Sequence, residues 1–144
     1  MRLHIPLLVL ALMGCRPTAP VLSPVDFRRA VSGSDWELGE LRGQPAPHGA
    51  GNRRATLRFD ADSARISGFA GCNRYFGGYT LHDDEPVLRF GAIGMTRMAC
   101  SQGMQLETQL ADALRQTSRY TLHEDRLILM DADRSQAVFV RGSR

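Results

Sequence analysis

From residue 35 onward, the apolar residues keep to alternate positions in short runs, and each run stops at Asp, Gly or Pro. Alternation gives a strand one apolar face, whereas a helix needs a repeat near 3.6. "DWELGEL" at 35–41 sets Trp36 and Leu38 on one side. "ATLRF" at 55–59 does the same with Ala55, Leu57 and Phe59. "ARISGF", "RYFGGYTL", "VLRFGAI", "RYTLH", "RLILM" and "QAVFV" follow, separated by turn formers such as "DADS", "HDDEP" and "DADRS". These runs carry the β-branched and aromatic residues that suit strands. Residues 42–54, "RGQPAPHGAGNRR", read as a long polar loop.

One segment breaks the period. Between Met104 and Ser118 the apolar residues are Leu106, Leu110, Ala113 and Leu114, the stripe of an amphipathic helix. Ser101 is the expected N-cap, with Glu107 near the positive end of the helix. The expected fold is therefore α+β and mainly β. About eight short antiparallel strands form a curved sheet or partly open barrel, with one amphipathic helix packed on it.

The N-terminus reads as a targeting signal. Arg2 precedes an apolar run from Leu3 to Met13, far short of the roughly 20 residues that span a bilayer. Leu12-Met13-Gly14-Cys15 then looks like a lipobox, the cleavage site of bacterial lipoprotein signal peptidase. Cleavage would leave Cys15 first, acylated on sulfur and nitrogen, and multiple acyl chains anchor stably where one does not. Residues 1–14 are thus expected as a lipoprotein signal peptide, 15–34 as lipid anchor and flexible tether, and 35–144 as the domain. The tether expectation rests on "RPTAPVLSPV", which has three prolines and no period. Arg16, where inner-membrane lipoproteins often carry Asp, favours the outer membrane facing the periplasm.

Removing residues 1–14 takes only Arg2 from the 18 basic residues, against 15 acids. The arginines are interleaved with Asp and Glu, which speaks against a nucleic-acid face. Of the three cysteines, Cys15 goes to lipid. Cys72 and Cys100 remain, an even pair in an oxidising compartment, and a disulfide would add roughly 3.5 kcal/mol by chain entropy. The alternative is two buried free thiols.

The stretch "SGFAGCNRYFGGYT" at 67–80 reads as a packed turn. Gly68, Gly71, Gly77 and Gly78 permit positive φ or close backbone approach. Asn73 can hold a turn through its side chain. Tyr75 and Tyr79 share one strand face and Phe76 takes the other. No acid, His or Ser sits at a spacing that would make Cys72 a nucleophile.

"GFAGCNRYFGGY", "TRMAC" at 96–100 and "MQLETQL" at 104–110 together resemble the META domain, also called the HslJ-type domain. Trp36-Glu37-Leu38 and Leu127-Ile128-Leu129 match the start and end of that pattern, so the resemblance covers residues 35–140. It marks Gly71, Asn73, Tyr75, Gly77, Tyr79, Thr96, Arg97 and Glu107 as motif residues. It implies a small β-rich domain with one helix, related in shape to lipoprotein pilotins that shelter lipid. It also implies links to heat shock, envelope stress and secretion, and no established enzymatic activity.

Other constellations are weaker. Met95, Met98 and Met104 with Cys100 offer soft ligands for Cu(I), but methionine more often fills core gaps. His48, His82 and His123 lie far apart without metal-ligand spacing. Asp83-Asp84-Glu85 and the Asp131/Asp133 pair sit in turns. Arg97, amid Met, Ala and Cys, is expected to be partly buried and paired with Glu107. The expected function is a non-catalytic, membrane-anchored periplasmic lipoprotein of envelope maintenance or stress response. It needs no cofactor or metal, binds no nucleic acid, and meets the bilayer through Cys15 and an envelope protein or apolar ligand. The alternative is a carrier or chaperone that shelters an apolar ligand in the curved sheet.

Overall fold

The computed structural model describes residues 21–143. Cys15, the lipobox and Arg16 lie outside the described residues. In chain order the elements are α1 Pro24–Val31, β1 Trp36–Leu41, β2 Gln44–Pro45, β3 Thr56–Asp60, β4 Arg65–Phe69, β5 Arg74–Leu81, β6 Leu88–Phe90, β7 Gly94–Met95, α2 Met104–Gln116, β8 Arg119–His123, β9 Arg126–Asp131 and β10 Arg134–Arg141. Each run of alternating residues became a strand. β2 and β7 bring the count to ten among the described residues, and at two residues each they are too short to show a period.

All pairings between strands are antiparallel, in the order β6-β5-β4-β3-β1-β10-β9-β8, with β2 on β1 and β7 on β5. The two ends nearly meet. A bridge joins Val87 to Arg119, and Tyr120 N–H donates to the Pro86 carbonyl at 3.0 Å. Register shifts at Leu38/Glu40 and Ser135/Ala137 bend β1 and β10. Such bulges add the curvature that lets a sheet roll into a barrel. The inside is filled by Trp36, Leu57, Tyr75, Leu88, Leu127 and Phe139, none more than 1% exposed.

Helix α2 turns Leu106, Leu110, Ala113 and Leu114 inward, as the stripe requires, against β1, β6, β9 and β10. Its N-cap is Gly103 rather than Ser101, with φ +90° and no side-chain cap bond. The reason is positional: Gly103 passes so close to Gly71 that only a glycine fits there.

The N-terminal boundary differs from expectation. The segment 24–31, read as tether, is helix α1, so the folded unit begins ahead of residue 35. Ser23 caps it by accepting from Asp26 N–H at 3.2 Å, and Pro24 occupies the first turn, where its missing N–H costs nothing. Phe27 and Val31 are fully buried. The Phe27 ring meets Phe59 edge-on at 5.7 Å and Tyr120 at 4.5 Å. Trp36 Nε1 donates to the Val31 carbonyl at 2.9 Å, and the Arg141 guanidinium both lies over the Trp36 ring and donates to Ala30 O at 2.9 Å. Only two apolar residues of this short helix face the core, too few for a visible period.

Candidate functional site

The Cys72-Asn73 turn joins β4 to β5 at the end of the barrel where α2 begins. Cys72 and Cys100, 28 positions apart, form a disulfide with Cα atoms 5.9 Å apart. Neither sulfur is left as a thiolate for nucleophilic chemistry.

Asn73 is 2% exposed and sits at the centre of the turn. Its side-chain oxygen accepts from Met98 N–H at 2.7 Å and from the Thr96 hydroxyl at 2.9 Å. Its amide group donates to the Met98 carbonyl and to Glu107 Oε1, both at 3.1 Å. Two acceptor and two donor bonds are all that a primary amide can make. Its backbone N–H donates to Glu107 Oε2 at 2.7 Å, and its carbonyl accepts from Ala70 N–H at 2.8 Å. Thr96 Oγ1 also accepts from Arg74 N–H at 3.1 Å. The residue therefore ties β5, the 96–100 segment and the first turn of α2 into one unit.

Glu107 is 9% exposed, and both its oxygens accept from Asn73. This corrects the expected Arg97–Glu107 pair. Arg97 is exposed, and no ion pair joins it to Glu107. The apolar flank does not bury it, because Met98 and Ala99 are themselves exposed.

Three backbones converge beneath the turn. Gly71, at φ +124°, accepts from Ala50 N–H at 2.7 Å. A Cβ on Gly103 would lie 2.0 Å from the Gly71 oxygen, and one on Gly49 would lie 2.2 Å from it. Gly49 and Gly103 carried no sequence signal beyond being glycine in polar stretches. Gly77 approaches the Ala92 carbonyl and Ile93, where a Cβ would lie at 3.0 Å from each.

Tyr75 and Tyr79 both turn inward and Phe76 outward, as the alternation requires. Tyr75 donates to the Thr56 carbonyl at 2.8 Å through a gap that Gly68 leaves open. Burial raises the Tyr75 phenol well above the ordinary 10.0. Burial also raises Tyr79, an effect partly opposed by Arg28. Of the histidines, His82 and His123 are exposed and lie with His48 on separate loops or strand ends. Met98 and Met104 are exposed.

Of the motif residues, Asn73, Thr96 and Glu107 thus share a hydrogen-bond hub with Gly71 beneath it, while Tyr75, Gly77 and Tyr79 pack along β5 and Arg97 lies exposed. A META domain family model matches residues 29–144. The chain belongs to the META domain family. A solution NMR structure of a protein from Burkholderia xenovorans is similar at 26% identity and a TM-score of 0.62, covering 94% of this chain and 100% of that one. A second NMR structure, 22% identical with a TM-score of 0.60, covers 78% of this chain and 92% of that chain, and shares the fold. No match was found among curated proteins. In this META domain the signature residues lock one end of a β-barrel to α2.

Proposed function

We propose that this META-domain chain is a lipid-anchored, non-catalytic protein of the bacterial cell envelope, acting in envelope maintenance or stress response. The observation that carries the reading is the Cys72–Cys100 disulfide, because such bonds persist in oxidising, exported compartments. It leaves Cys15 as the odd cysteine, directly after Leu12-Met13-Gly14. The absence of a catalytic role is argued from the hub: Asn73 and Glu107 direct their polar groups at one another and at backbone, not at an open cleft. Arg16 supports sorting to the outer membrane. A carrier role is less well supported, since the barrel interior is filled by its own side chains. Replacing Cys15 with Ser tests the anchor. The wild-type protein is expected in the membrane fraction with incorporated palmitate, and C15S in the soluble periplasmic fraction without it. Failure of palmitate to enter the wild-type chain would overturn the lipoprotein reading.

A further inference from the structure

The outward wall formed by β3 to β6 gathers several exposed arginines. Off this wall, Arg54, Arg126 and Arg134 sit beside Glu37, Glu40 and Asp131, while the exposed Arg42, Arg97 and Arg119 form no ion pair among the described residues. On this wall, positions alternating with buried Leu57, Ile66, Tyr75 and Leu88 hold Arg58, Arg65, Arg74 and Arg89, with Asp60 as the acid among them. Arg58 reaches Asp35 at the margin of the wall, at 3.6 Å. Arg65, Arg74 and Arg89 form no ion pair among the described residues.

Phe76 stands in the middle of this wall, 48% exposed. Cross-strand register places Ser67 opposite Phe76 on one side and Arg58 beyond it, with Gly94 opposite on the other. The ring occupies the space a side chain at 94 would take, since a Cβ there would come within 2.5 Å of it. Its Gly94 side is thus covered while nearly half of its surface stays open. A shallow concavity beside it is lined by Arg58, Asp60, Ser63, Arg65, Ser67 and Phe76. The Asp60 carboxylate accepts from Ser63 N–H at 2.9 Å and Asp62 N–H at 3.0 Å, and these bonds lower its pKa.

We propose that this wall binds a glycan strand whose peptide stems bear carboxylates, the chemistry of the bacterial cell wall. The open ring offers a stacking surface to the C–H face of a pyranose. Ser63 and Ser67 hydroxyls and the Asp60 carboxylate offer partners for sugar hydroxyls. Arg65 and Arg74 complement carboxylates, which a guanidinium can grip at two points. A single ring does not provide the series of stacking platforms that single-stranded nucleic acid uses. The outer wall of a barrel is convex and meets a flat bilayer poorly. The choice of glycan source rests on the envelope reading proposed above.

The test is co-sedimentation of the purified chain carrying Cys15→Ser with purified peptidoglycan sacculi. Because this protein has no lipid, the result does not depend on anchoring, which palmitate labelling reads separately. Saturable, salt-sensitive binding is expected. F76A is expected to weaken it about ten-fold, the scale of one lost stacking contact. The double variant R65E/R74E is expected to abolish it. Both variants alter side chains outside the core, and thermal melts matching the parent's will show that the fold is kept. Parent protein that stays in the supernatant overturns the proposal, as does binding unchanged in both variants. Displacement from sacculi by phosphatidylglycerol vesicles or by oligodeoxythymidine would also overturn it, in favour of a lipid or nucleic-acid surface.

Discussion

Asn73 and Glu107 form a contact with no slack at the residue scale. Four donor-acceptor bonds leave the Asn73 side chain, and two of the bonds it makes, one from its backbone, end on the same carboxylate. Glu107→Gln replaces one carboxylate oxygen with an amide that cannot accept, so an N–H of Asn73 faces another donor. A buried unsatisfied donor costs about 1–3 kcal/mol. The urea midpoint of E107Q is expected to fall accordingly. Arg97→Ala is expected to stay within about 0.5 kcal/mol of wild type, the range of surface substitutions. An R97A loss as large as that of E107Q would restore Arg97 as the partner of the buried carboxylate.

The two helices do different work at the scale of elements. α2 was legible because four inward residues repeat over more than two turns. α1 acts as a plug, with Phe27 wedged between Phe59 and Tyr120. Phe27→Ala would leave a cavity between two aromatic rings, and large-to-small changes of this kind cost about 3–5 kcal/mol. If residues 24–31 were only tether, the same substitution would change stability by a few tenths of a kcal/mol. Chemical denaturation of F27A separates the two. The disulfide acts at this scale too, because it joins the β4–β5 turn to the segment leading into α2.

At the scale of the whole molecule, all three tyrosines are held above the ordinary value of 10.0 by burial. Burial disfavours the phenolate, so near pH 10 the unfolded chain releases protons that the folded chain keeps. The unfolded state then binds fewer protons, and stability falls as pH rises. This contribution is fully present below pH 10 and is lost as the pH climbs above it. Tyr75 alone would give a slope of about 1.4 kcal/mol per pH unit in that range. Urea midpoints measured across the alkaline range are expected to be flat and then to drop. Tyr75→Phe should make the drop shallower while costing about 1 kcal/mol at neutral pH for the lost bond to the Thr56 carbonyl. By itself the sequence determined the eight longer strands, the inward stripe of α2 and the inward Tyr75 and Tyr79, and it left Cys72 and Cys100 as an even pair able to bond. These follow from local periodicity and from a count, which need no knowledge of distant neighbours. The tertiary structure alone decided that β6 meets β8, that α1 enters the core, and that Gly49 and Gly103 close on Gly71. It also decided that Glu107 serves Asn73 and not Arg97. Periodicity shows which face of an element is apolar. A hydrogen-bond partner 34 residues away is chosen only when the rolled sheet brings the turn and the helix together.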